Sequence, residues 1–80
     1  MVHSVKCKSM YFHDVVRGVK RFEVRYNDRN YQVGDLLVLC ELDFNGRLTG
    51  CTHTVEIIYI LDNCSYLRDN YVVLGIKDII

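Results

Sequence analysis

The stretch LLVLCELDFNGRLTGCTHTVEIIYIL, residues 36–61, decides the fold. Leu36 to Leu42 is an apolar run of strand length, and Asn45-Gly46 beyond it is the strongest hairpin signal in the chain. Such a pair marks the tip of a hairpin. Residues 45–50 therefore tip a hairpin whose returning arm runs over roughly 51–61. In that arm Val55, Ile57, Tyr59 and Leu61 fall on one side, while Thr54, Glu56, Ile58 and Ile60 fall on the other. A chain organised around such a unit is mainly β.

Working toward the N-terminus, Tyr31-Gln32-Val33-Gly34-Asp35 and Asn27-Asp28 supply turn chemistry, with Gly34 free to take a positive φ and Asp35 able to accept from backbone amides. Before them, GVKRFEVR at 18–25 has a period of two. Phe22, Val24 and Tyr26 share one side and Arg21, Glu23 and Arg25 the other, so the expectation is a strand that buries Phe22 and Val24. From Ser9 the period lengthens, and Met10, Phe12, Val15 and Val16 predict a helix over 9–17, capped by Ser9 and ended by Gly18. VHSVKC at 2–7 predicts a first strand. Toward the C-terminus, residues 62–70 form a polar loop with at most one helical turn, and YVVLGI at 71–76 is a last strand. Five strands and one helix in 80 residues, a single domain over 1–80, predict an α+β, mainly β architecture. Strands so short bury one face only by curling, so the expected form is a small five- to six-stranded β-barrel plugged by its N-terminal helix.

Composition narrows the function classes. Lys and Arg balance Asp and Glu at ten each, half the residues are apolar and there is no proline. The neutral total argues against a general duplex-DNA coat. The distribution is uneven: residues 1–35 hold seven cations and four anions, whereas residues 36–80 hold three and six. The charge balance thus allows at most a local anion site. No apolar run approaches the ~20 residues of a membrane helix, and MVHSVKCK lacks the apolar block of a signal peptide. A cytoplasmic protein with no membrane association is expected. Cys7, Cys40, Cys51 and Cys64 form no C-x-x-C pair, so reduced thiols are expected. Cys7 and Cys40 read as small hydrophobes within strands. Cys51 and His53 share a strand face and with His3 and His13 are the metal-ligand types the chain offers, but the bland reading prevails and no metal site and no cofactor is assigned.

The charged stretch carries the candidate chemistry. Gly18, Lys20, Glu23 and Arg25 spell G-x-K-x-x-E-x-R, and Val33, Gly34 and Asp35 follow after a turn. With the apolar strand after it, the N-G-x-x-T-G hairpin and the closing Y-V-V-L-x-I, this pattern resembles the ASCH superfamily, and within it a small bacterial and phage subgroup. The resemblance implies a PUA-like β-barrel with a cleft at the helix–strand junction that holds RNA or a nucleotide-like ligand. Local physics agrees: Lys20 is a point charge suited to phosphate, and Arg25 is a planar fork that grips phosphate or base edges bidentately. Glu23 pairs with these cations or accepts from a base amino group. Tyr26 and Arg29 are candidate helpers in nucleic-acid binding, while Tyr31 reads either as a stacking surface or as core.

Two other readings stand beside RNA binding. One bacterial branch similar to ASCH domains is an amidohydrolase acting on an acylated nucleoside, N4-acetylcytidine. The resemblance there implicates a motif lysine, matched by Lys20, and a threonine whose position Glu23 occupies here. Without that hydroxyl, catalysis by Lys20 and Glu23 would require an activated water, with Glu56 as a further acid of unknown position. The second alternative is a module that docks a protein partner. On the opposing view the charges are only a solvated strand face, with ion pairs of at most ~1 kcal/mol.

Overall fold

A computed structural model describes residues 1–79. Its elements are β1 (Val2–Lys8), α1 (Ser9–Val16), β2 (Phe22–Tyr26), β3 (Leu36–Leu42), β4 (Leu48–Leu61) and β5 (Tyr71–Asp78). The hairpin read from residues 36–61 is the β3–β4 pair, with Leu36 opposite Glu56 and Leu42 opposite Leu48. The strands form one sheet in the order β1-β3-β4-β5-β2. β1 lies parallel to β3, and every other pairing is antiparallel.

The sheet curls into a half-barrel around Leu37, Leu39, Ile57 and Leu74, all with zero exposure. Burying each such side chain contributes about 1.5–3 kcal/mol. Phe12 and Val15 on α1 join this core and plug it from one side. Gly18, at φ +79°, ends the helix as the sequence predicts. Among the described residues no helix is long and apolar enough to cross a membrane.

Four expectations need correction. The barrel does not close: β1 and β2 are the two ends of the sheet, and no ladder joins them. The phase of β2 is reversed. Glu23 is 3% exposed, whereas Phe22, Val24 and Tyr26 are 47%, 52% and 50% exposed. A period of two separates two faces without saying which turns inward, and here Glu23 turns inward onto Lys20 and Arg25 while Phe22 and Val24 stand opposite Gly75 and Val73 of β5 on the outer face. In β4 the register shifts between Ile57 and Tyr59, so Tyr59 and Leu61 turn outward while Ile60 packs against the core. Ser9 does not cap the helix. It is the first helical residue, and its hydroxyl donates to the buried Glu41 carboxylate at 2.7 Å.

Candidate functional site: an ion triad between two sheet edges

β1 and β2 are antiparallel across the open side of the half-barrel, as the chain of pairings dictates. Between them lies a cleft of about 490 Å³, with Glu23 on its lining. The reversal of β2 places this carboxylate inside, and two cations meet it there. Lys20 Nζ donates to Glu23 Oε1 at 2.5 Å and to the Phe22 carbonyl at 2.6 Å. Arg25 Nη1 donates to Glu23 Oε2 at 3.2 Å and to the Lys6 carbonyl at 3.1 Å. The side chains of Lys20 and Arg25 are only 15% and 24% exposed. Each cation also caps a strand-edge carbonyl, one on β2 and one on β1, so the triad bridges the gap that backbone pairing leaves open.

Local structure explains the convergence. The left-handed residue Gly18 turns the chain off α1, and Lys20 then folds back across the start of β2 toward Glu23 three positions on. Arg25 is two residues beyond Glu23 and so shares its inward face. The Lys20 ammonium lies 4.9 Å from the Phe22 ring centroid and 5.5 Å from that of Tyr11, within cation–π range of both. A buried carboxylate with two cationic partners avoids the penalty an unpaired charge would carry.

Of the five residues singled out from the sequence, the structure brings Lys20, Glu23 and Arg25 together. Tyr26 stands on the outer face of β2, edge-on to Tyr71 at 5.5 Å between centroids. Arg29 lies in the following loop, 3.8 Å from Asp28. Tyr31 is core, 5% exposed and edge-on to the His3 ring. Glu56 faces Lys77 at 3.9 Å on the central strand β4, away from the cleft.

The structure also adds residues that sequence reasoning missed. Tyr11 and Cys7 line the cleft, brought there by α1 and β1. Burial, and then the Glu23 charge, push the Cys7 thiol up to about 11. Two further buried acids anchor the fold. Asp35 accepts from His3 Nε2 at 2.8 Å, from the Met1 amine at 3.0 Å and from the Gln32 amide at 3.0 Å. The His3 contact foremost, then the amine, hold its carboxyl down at about 2. Glu41 accepts from Ser9 and from Thr49 at 2.8 Å and faces His13 at 3.0 Å. The two hydroxyls, helped by His13, keep it below the usual carboxylate range. An acid inside the apolar run LLVLCEL was the available signal, because a buried charge must find partners. Among the described residues no group of three or more His, Cys, Asp or Glu side chains converges as a metal site would need.

These features define a small, mainly β domain whose open sheet is bridged by a buried acid and two cations. The chain belongs to the family described as Domain of unknown function (DUF3850), whose model matches residues 2–76. It is similar to the "Uncharacterized 12.9 kDa protein in GpA 3'region" of Escherichia phage P2, with 41% identity over 73 residues. That match covers 91% of this chain and 65% of the phage protein, so the chain spans just under two thirds of its relative.

Proposed function

We propose that the cleft binds RNA or a nucleotide, as an ASCH-type, PUA-like module would. One observation carries this reading: Lys20, Glu23 and Arg25 converge in a walled cleft instead of splaying into water. Two cations and one acid leave a net single positive charge, matched to one phosphodiester. Arg25 spends only Nη1 on protein acceptors, so its Nε and Nη2 donors have no partner among the described residues. These donors form the planar edge that grips phosphate or a base. Tyr11 and Phe22, beside the Lys20 ammonium, offer apolar walls to a base. Glu23 keeps lone pairs for a base amino group.

Binding is favoured over hydrolysis of an acylated nucleoside by the lining itself. Among the described residues no serine or threonine lines the cleft and Cys7 stays protonated at neutral pH, so hydrolysis would have to run through a water, and the Glu23 carboxylate that would activate it is already held by Lys20 and Arg25. The test is fluorescence anisotropy of a labelled mixed-sequence RNA hexamer at low salt. The expected result is saturable binding, at least tenfold weaker for Arg25→Gln and for Lys20→Gln, with circular dichroism showing both variants folded. Equal binding by folded variants, or none by the native chain, contradicts the reading. Association indifferent to salt points instead to docking of a protein partner.

A further inference from the structure

The two lips of the cleft differ in chemistry. On β1, burial alternates so that Cys7 faces inward while Lys6 and Lys8 project outward along the rim. Lys6 and Lys8, like Arg21, Arg47 and Arg68, have no acidic partner among the described residues, and of these five Lys6 and Lys8 line the cleft. On the facing lip, β2 turns Phe22, Val24 and Tyr26 outward, about half exposed and uncharged. Tyr26 is braced by Tyr71. The contact of Arg25 with the Lys6 carbonyl sets residue 6 opposite residue 25. Because the strands run antiparallel, Lys8 then faces the Phe22 end.

We infer that the ligand is a single-stranded nucleic-acid segment of at least two nucleotides lying along this cleft, with phosphates on Lys6 and Lys8 and a base against Phe22. This rests on the binding role proposed above and extends it from one nucleotide to a strand. Residues two apart on a β-strand are spaced about 6.6 Å, comparable to successive phosphates of an extended single strand. Such a strand is anionic along one side and aromatic along the other, as the two lips require. A duplex turns its base faces inward and offers nothing to the aromatic lip. An acidic peptide offers charge but no planes to stack. Backbone-tracking cations beside stacking aromatics are the general design of single-strand sites.

The experiment compares a nucleoside 5′-monophosphate, a trinucleotide and a hexanucleotide by titration calorimetry, for the native chain and for Lys6→Gln/Lys8→Gln. Both lysines are exposed, so the variant folds. In the native chain affinity should rise at least tenfold from mononucleotide to trinucleotide. In the variant that gain disappears, and the slope of log K against log salt for the trinucleotide falls by about 1.4, two contacts at ~0.7 each. Phe22→Ala weakens the trinucleotide by about tenfold. The inference is overturned if length adds nothing, if the variant keeps the native salt slope, or if a glutamate hexapeptide competes as well as RNA. Failure of mononucleotide and strand alike would remove the reading of the cleft itself.

Discussion

Replacing Glu23 by glutamine keeps the size and an acceptor oxygen but removes the charge that two cations share. Truncating one partner of a buried ion pair typically costs 3–5 kcal/mol, because the other charge is left uncompensated. Here Lys20 and Arg25 keep 15% and 24% exposure and can tilt toward water, which lowers the expected cost to about 2–3 kcal/mol. A domain of this size loses roughly 4–8 °C of Tm per kcal/mol, so the melting midpoint should fall by roughly 8–24 °C. The chain contains its own control. Asp14 pairs with Arg17 at 2.8 Å, but the two side chains are 41% and 67% exposed, and Asp14→Asn should cost under about 0.5 kcal/mol. Urea denaturation of both variants, with Lys20→Met and the Lys20→Met/Glu23→Gln double variant, measures the coupling directly. The cycle should return about 1–2 kcal/mol of interaction between residues 20 and 23. If Glu23→Gln costs no more than Asp14→Asn and the cycle closes at zero, the triad is a solvated strand face and the argument for a built site fails.

Val24→Thr tests the phase of β2. With Val24 half exposed on an edge strand the change should stay within about 0.5 kcal/mol, and a cost above about 1.5 kcal/mol in urea would mean that Val24 faces the core. Alkylation by iodoacetamide at pH 8, read by mass spectrometry, should label exposed Cys51 rapidly and leave Cys7 unmodified, since burial and the neighbouring Glu23 hold its thiol near 11. Rapid labelling of Cys7 in the folded chain would contradict that environment. Acid unfolding should follow Asp35, whose folded value of about 2 lies below the unsupported 3.8. A depressed carboxylate stabilises the fold fully above its unfolded value, so this contribution is intact above about pH 5 and lost as pH falls through 4 toward 2. Asp35→Asn should flatten that part of the stability–pH curve, and an unchanged acid limb would refute the assignment.

The hairpin at Asn45-Gly46, the strand between Leu36 and Leu42 and the helix ended by Gly18 were legible because each is written in local turn chemistry or a local period. That Glu23 and Arg25 share a face could be read from their spacing and the convergence of Lys20 upon them was implied by the family resemblance, but the direction in which they point could not be read. That direction depends on which strands flank β2, and among the described residues β2 pairs only with β5, about 50 residues away in sequence. The unclosed barrel was hidden for the same reason, because edge pairing is a property of topology rather than of any segment. Tyr59 misled through the β4 register shift, which leaves no periodic signature. Cys7 and Tyr11 reach the cleft from elements whose own patterns speak only of a strand and a helix.

The most direct test of the cleft as a ligand site is a titration of the ¹⁵N-labelled chain with a single-stranded RNA hexamer, followed by two-dimensional NMR. Shift changes should concentrate in residues 6–8, at Tyr11 and in residues 20–25, the two sides of the open sheet. Changes gathered instead around the loop at 62–70, or none at RNA concentrations up to the millimolar range, would contradict the account.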